Sequence, residues 1–279
     1  MNKIIDKKML SENVAQLIVE APQIAKKRKA GHFVIVRVDE KGERIPLTIS
    51  SADVEKGTIT LILQKVGVSS SKIASLNAGD YLHDVVGPLG KATHIEKFGT
   101  VLCCGGGVGV APLLPIVQAM KAAGNKVISV LAARNKELII LEDEIRKSSD
   151  EVIIMTDDGS AGRQGVSTVP VKEMCESQCP PAEVIAIGPP IMMKFCAATT
   201  KEYGIKTTVS LNTIMIDGTG MCGGCRVSVG GETKFVCVDG PEFDAHIVDW
   251  DNMMMRMKSF KPREQEDFHK CKIGLGIEK

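Results

Sequence analysis

Two rhythms of hydrophobic and polar positions divide the chain. Up to about residue 97, short runs of Val, Ile, Leu and Thr stand between turn signals, most clearly at Val14–Glu20, 31–38, 44–50, 58–66 and 81–86. Breaks fall at Lys41-Gly42, Lys56-Gly57 and Ala78-Gly79-Asp80, where glycine and its polar neighbours end a strand. Strands at this spacing predict a small antiparallel barrel, with a short helical turn over 71–76. Beyond Gly99 the rhythm changes. Apolar strands at 100–104, 127–131, 152–155, 184–187 and 207–211 alternate with helical stretches to 123, over 137–147, near 167–176 and to about 203. That alternation predicts a doubly wound parallel sheet whose ligand lies outside the carboxyl ends of its strands. After residue 212 a loop rich in glycine and cysteine leads to a helix over 249–258. The shifts divide the chain at 1–97, 98–212 and 213–279.

Composition narrows the class. The 279 residues suffice for two or three domains, and 44% hydrophobic with 25% charged residues is ordinary for a globular chain. A net charge of +1 lacks the basic excess of a nucleic-acid surface. The uncharged stretch 101–120 has the length of a membrane span, but its four glycines and two prolines would break any helix there. The first ten residues are too charged for a secretory leader. Nine cysteines, an odd number, fit free or metal-bound thiols in a reducing cytoplasm better than a disulfide framework.

The strongest chemical signal lies in 216–240, which reads I-D-G-T-G-M-C-G-G-C-R-V-S-V-G-G-E-T-K-F-V-C-V-D-G. Cys222, Cys225 and Cys237 follow the spacing of a plant-type [2Fe–2S] loop, and Asp217 stands where that pattern has its first cysteine. Gly218, Gly220, Gly223 and Gly224 let the chain fold tightly and aim backbone N–H groups at sulfur. Zinc is the alternative. It normally takes a second short-spaced Cys or His doublet, whereas this segment offers Cys237 and the isolated His246. Cys175 and Cys179, spaced as a helical pair without a nearby His, read as structural, and Cys271 has no assignment. Trp250 with Met253, Met254, Met255 and Met257 reads as a core-facing helix or a docking face.

Two further motifs suit phosphate. Arg44-Ile45-Pro46-Leu47-Thr48 offers a guanidinium able to meet a pyrophosphate, a rigid turn, and a hydroxyl for a flavin ring edge. Val66-Gly67-Val68-Ser69-Ser70, before the helical turn, suits phosphate on backbone N–H groups. The bland readings are a solvated arginine and a simple helix cap. Gly105-Gly106-Gly107-Val108-Gly109, followed by Val110-Ala111-Pro112, sits where a strand meets a helix, the context in which a glycine loop cradles a nucleotide pyrophosphate. Its alternative is a tight turn without ligand. Arg134 replaces the usual acidic ribose ligand after the second strand, which leaves NADH and NADPH both open. Asp157 faces the nucleotide or belongs to a plain turn.

In this order the R-x-P-L-T strand with G-V-S-S, the G-G-G-V-G-V-A-P loop and the D-x4-C-x2-C-x11-C loop resemble the ferredoxin–NADP reductase superfamily. The likeness is to its branch with a C-terminal [2Fe–2S] module and covers nearly the whole chain. Asp217 and the D-G-P-E-F-D-A-H extension resemble the small subunits of NADH-dependent ferredoxin:NADP oxidoreductases. Electron-transfer subunits of dihydroorotate dehydrogenase type B, with four cysteines and little chain beyond them, are the alternative. The resemblance implies that Arg44, Pro46, Leu47 and Thr48 hold FAD, with Gly67, Ser69 and Ser70 on its phosphates. It implies that Gly105 to Pro112 bind NAD(H) and that Gly188-Pro189 close the nicotinamide pocket. The family often has Cys before that Gly-Pro, and Ile187 stands here instead. Asp217, Cys222, Cys225 and Cys237 would hold the cluster. NADH would then reduce the flavin, and the cluster would carry electrons singly to a larger flavin and iron–sulfur subunit in a heterodimer. Ferredoxin would be reached only through that partner. Electron bifurcation would belong to it as well, since this chain has no [4Fe–4S] motif. A nucleotide-sensing or scaffold subunit, binding cofactor without turnover, is the non-enzymatic alternative.

Overall fold

The computed structural model describes residues 1–274, with side chains through Cys271; the last five residues of the expected 213–279 module lie outside the described residues. Seven strands form the first sheet: β1 (Asn2–Ser11), β2 (Val14–Glu20), β3 (Phe33–Arg37), β4 (Ile45–Asp53), β5 (Thr58–Gln64), β6 (Tyr81–Leu82) and β7 (Asp84–Leu89). All pairings are antiparallel, in the order β6-β1-β2-β5-β4-β3-β7. Their inward residues, among them Leu17, Ile49, Ile59 and Leu61, make the barrel core together with helices α1 (Pro22–Lys27) and α2 (Val68–Ser75). The sequence pattern missed β1. Its run of charged residues hides the alternation, and in this strand only Ile4 reaches full burial. The single strand expected over 81–86 is two, interrupted at His83.

The second sheet holds β8 (Thr100–Gly106), β9 (Lys126–Ala133), β10 (Glu151–Thr156), β11 (Arg163–Gln164), β12 (Glu183–Ile187) and β13 (Lys206–Ser210). These strands are parallel, with α3 (Val110–Ala122), α4 (Glu142–Ser148), α5 (Thr168–Cys175) and α6 (Pro190–Glu202) between them. The helix expected over 137–147 begins only at Glu142, because Leu141 takes a left-handed φ of 57°. Cys175 ends α5 and is buried while Cys179 is exposed beyond it, so the two do not form a helical pair. The uncharged stretch 101–120, read as too rich in glycine and proline for a membrane span, is β8, a glycine turn and α3. Among the described residues no helix is long and apolar enough to cross a membrane.

Past residue 212 the chain forms a hairpin of β14 (Arg226–Val229) and β15 (Glu232–Phe235), turned at Gly230-Gly231, where φ is 61° and 82°. A short helix, α7 (Val236–Asp239), follows, then β16 (Glu242–Asp244), α8 (Trp250–Met257) and α9 (Lys261–Gly274). β16 does not stay with the hairpin. It pairs antiparallel with β13 and completes the order β11-β10-β9-β8-β12-β13-β16. In α8, Asp249 caps the helix by accepting from Asn252 N; Trp250 and Met253 are buried, and Met254 and Met257 pack against the same core. That core also takes in Cys225, Cys237 and Val227 from the cluster segment, Leu102 and Val130 from the parallel sheet, and Phe33 and Ile35 from the barrel. Burying a side chain such as Ile35 stabilises the assembly by about 1.5–3 kcal/mol. One apolar core thus welds the three parts together.

Candidate functional site

The order of the parallel strands sets the nucleotide crevice. From β8 the chain winds outward through β9, β10 and β11, then returns to β12 on the other side of β8. The gap beyond the carboxyl ends of β8 and β12 is therefore the switch point of the sheet, where ligands of such folds bind. Gly105 to Pro112 leave β8 there, and Gly188-Pro189 leave β12. Most of these glycines serve packing. A Cβ on Gly109 would run into the Ile187 carbonyl oxygen, one on Gly106 into Met192 Sδ, and one on Gly188 would lie 2.8 Å from Met192 Cε. Gly107 differs: its φ is 55° and a Cβ there would meet nothing within 4 Å. It faces open space in a 3-10 turn (107–109) that leads into α3, where Val110 N donates to Gly107 O. Asp157 and Arg134 stand exposed at the ends of β10 and β9, joined by bonds from Asp157 N to Ala133 O at 3.1 Å and Asp158 N to Arg134 O at 3.2 Å.

β4 carries the flavin motif to the same place. Pro46, Leu47 and Thr48 pair with Ile35, Val34 and Phe33 and are half-buried, while the strand's next residues, Ile49 and Ser50, are fully buried. Ser50 donates its hydroxyl to Ala111 O at 3.0 Å, which ties β4 to the first turn of α3. The R-x-P-L-T strand and the glycine loop are thus bonded neighbours across the domain boundary. Arg44, 40% exposed, lies 3.7 Å from Asp84, which also takes Arg37 at 2.7 Å. Asp84 has no sequence signal, since its partners are 47 and 40 positions away. At the start of α2, Gly67 has open space where a Cβ would go. Ser69 donates to Glu43 at 2.8 Å, and Ser70 accepts from Val66 N and Gly67 N at 3.0 Å each. Both hydroxyls, expected on the flavin phosphates, are thus engaged within the protein.

The four residues expected to hold the cluster meet in two pairs. Cys222 Sγ lies 2.8 Å from Asp217 Oδ1 near the surface, and Cys225 Sγ lies 3.3 Å from Cys237 Sγ in the interior. Among the described residues, no three His, Cys, Asp or Glu side chains converge as a single-ion site would need. Two pairs suit two irons, each completed by bridging sulfide. Gly224 N points at Cys222 Sγ from 3.4 Å and Cys237 N at Cys225 Sγ from 3.5 Å. Asp217 also orders its own loop, accepting from Met221 N at 2.9 Å and the Thr219 hydroxyl at 2.6 Å. The Cys222 thiol, then the Thr219 hydroxyl, hold its carboxyl well below the usual carboxylate range. Burial, then the neighbouring Cys225 thiol, pushes Cys237 up to about 12, so a metal ion held there would have to displace a proton. Gly218, with φ 76°, lies so close to Ile35 and Leu89 that a Cβ would come within 2.7 Å of each. The cluster loop rests on the flavin barrel.

Comparison with known proteins matches this layout part by part. Residues 2–94 match the oxidoreductase FAD-binding domain, 103–198 the oxidoreductase NAD-binding domain, and 212–249 the iron–sulfur cluster binding domain of dihydroorotate dehydrogenase B. Fold and motifs together define an oxidoreductase subunit with FAD-, NAD- and iron–sulfur-binding domains. A dihydroorotate dehydrogenase B (NAD(+)) electron transfer subunit homolog of Thermotoga maritima is 43% identical over 97% of this chain and 95% of its own. The electron transfer subunit of Streptococcus pneumoniae is 32% identical over 86% of this chain and 94% of its own. A chain of the NADH-dependent reduced ferredoxin–NADP oxidoreductase structure, determined in a study of flavin-based electron bifurcation, is 42% identical with a TM-score of 0.91, covering 97% of both chains. The chain belongs to the family of dihydroorotate dehydrogenase B electron transfer subunits and their homologues. It is an electron-transfer subunit, and such subunits work with a larger partner.

Proposed function

We propose that this subunit moves electrons between NAD(H), FAD and a [2Fe–2S] cluster, and passes them to or from a larger flavin and iron–sulfur subunit of the ferredoxin:NADP oxidoreductase type. Bound FAD supplies the exchange between two-electron and one-electron chemistry, and the cluster supplies a one-electron carrier. The chain's own residues do the placing. The glycine loop, open at Gly107, presents N–H groups to the nucleotide pyrophosphate, and Arg44 and the start of α2 take the flavin phosphates. Asp217, Cys222, Cys225 and Cys237 hold the two irons. The observation that carries the reading is the junction itself: Ser50 bonds the flavin strand to the nucleotide helix, and Gly218 seats the cluster loop on β3 and β7. The three cofactor sites are adjacent by construction. The exposed Asp217–Cys222 edge, with Met221 88% exposed beside it, is the side from which electrons leave for the partner and, through it, ferredoxin.

A dihydroorotate dehydrogenase partner is the second reading, favoured by the match of residues 212–249 to the cluster-binding domain of that family. The aspartate at the first ligand position favours the former. Anaerobic titration of the loaded chain tests the shared core: NADH should bleach the flavin and then reduce the cluster. Absence of bleaching would leave only a sensing or scaffold subunit. Co-purification then separates the two partners, a large flavin and iron–sulfur protein against a dihydroorotate dehydrogenase.

A further inference from the structure

The D-G-P-E-F-D segment takes no part in the cofactor sites, yet all three parts of the chain are tied at it. Gly240 O accepts from Lys91 N at 2.6 Å, and Pro241 O accepts from Leu211 N at 2.9 Å. Glu242 and Phe243 pair with Ser210 and Val209 as β16. The Glu242 carboxylate turns toward the linker between barrel and parallel sheet, where the Thr93 hydroxyl donates to Oε1 at 2.6 Å. Thr93 N donates to Ala30 O of the barrel at 2.9 Å, and a Cβ on neighbouring Gly31 would lie 3.0 Å from that same Glu242 oxygen. Cys237 sits only three residues before Gly240, so the same knot holds one end of the cluster loop.

Glu242 also shares a cleft of about 230 Å³ with a second carboxylate, Glu183 at the start of β12. Glu183 is 3% exposed; its Oε1 takes Lys206 at 3.2 Å and the Thr208 hydroxyl at 2.7 Å, while its buried Oε2 has no protein partner. The other charged or titratable groups lining the cleft are Lys91 and His94 on the linker, Asp239 at the end of α7 and Asp244 on β16. Gly31 brings only backbone from the barrel. The donors are thus unequally shared. Glu183 has the lysine, and Glu242 has a single hydroxyl. A second negative charge placed beside Glu183 has little to balance it.

We propose that Glu242 is a proton-controlled positioning residue: neutral, it closes the joint that fixes the barrel, the parallel sheet and the cluster segment together, and charged, it loosens that joint. Burial, helped by the Glu183 charge and opposed by the Thr93 hydroxyl, pushes the carboxyl up to about 7, which places the change within the neutral range. Only the consequence, a shift in how the cluster loop sits on the flavin barrel, rests on the electron-transfer reading. The joint itself can be followed without turnover.

Hydrogen exchange of the full chain, loaded with FAD and cluster, tests it at the amides of Lys91, Thr93 and Leu211. Rates are corrected for the intrinsic pH dependence of amide exchange. If opening returns Glu242 to ordinary carboxylate behaviour, the opening equilibrium should rise about tenfold between pH 6 and pH 8.5. Glu242→Gln should keep these amides equally protected at both pH values, and Thr93→Val should open them already at pH 6. Protection in the unmodified chain that does not change over this range would overturn the proposal, as would a Gln variant with the same rise. The unmodified chain's pH series decides the matter even if a variant fails to fold.

Discussion

Gly107 and Gly109 stand two residues apart in one loop, and the structure separates what an added methyl does at each. At Gly109 it would press on the Ile187 carbonyl and lie 2.8 Å from Gly188 Cα, both backbone. Gly109→Ala should therefore cost about 1–3 kcal/mol of stability through overpacking and push the Ile187–Gly188 turn off β8. At Gly107 the methyl meets no protein atom, and the intrinsic cost is the left-handed backbone, about 1–2 kcal/mol. On the proposed reading of the loop, the methyl fills the space through which the pyrophosphate approaches. Losing even one charge-assisted N–H bond there removes about 1.5–3 kcal/mol of binding, so NADH affinity should fall at least roughly tenfold. The assay is anaerobic stopped-flow reduction of the bound flavin across NADH concentrations, with dithionite reduction, flavin content and iron content as controls. Gly107→Ala should keep both cofactors and respond to dithionite as before while requiring far more NADH. Should Gly107→Ala saturate with NADH at the original concentration and rate, the loop is not the pyrophosphate cradle.

Three other perturbations follow from the geometry. Asp217→Cys should retain two irons and shift the visible spectrum toward the all-cysteine type, because thiolate is a softer and more covalent ligand. Asp217→Ala should lose the cluster, and Asp217→Asn, which keeps an acceptor for Met221 N, shows whether loop order alone suffices; an alanine variant with unaltered iron and spectrum would remove the aspartate from the ligand set. Arg44→Ala should weaken FAD retention without iron loss, and with at most about 1 kcal/mol of lost stability, since its contact with Asp84 is exposed and the Arg37–Asp84 pair remains; unchanged FAD affinity would dismiss it as a phosphate ligand. Glu242 predicts a pH slope in stability. Its pKa is raised from 4.5 to about 7 on folding, so the folded chain holds a proton that the unfolded chain releases between these values. Stability is full below the lower value, falls as pH rises toward 7, and above it is lower by about 3 kcal/mol. Urea unfolding at pH 5 and pH 8 should show this slope, and Glu242→Gln should flatten it; an equal slope in both chains assigns it elsewhere.

What the residues determined by themselves was local. The period-two runs and their glycine breaks specify the barrel, and the apolar strands alternating with helical stretches specify the parallel sheet, because both signals come from neighbours in sequence. The D-x4-C-x2-C-x11-C spacing likewise marks the cluster loop, whose donors all come from one short segment. What only the tertiary structure decided involves distant partners. Nothing in the D-G-P-E-F-D string says that β16 leaves its hairpin to close the edge of the parallel sheet, since its pairing residues lie more than thirty positions back in β13. The glycine loop reads as one motif, yet packing across the β8–β12 gap makes Gly106 and Gly109 contact surfaces and leaves Gly107 free. β1 was lost to its charged residues, and Asp84, Ser50 and Glu242 carry no motif because each acts on a segment dozens of positions away. The folded chain brings those segments together through one shared core, so the adjacency of the three proposed cofactor sites is a property of packing rather than of any motif.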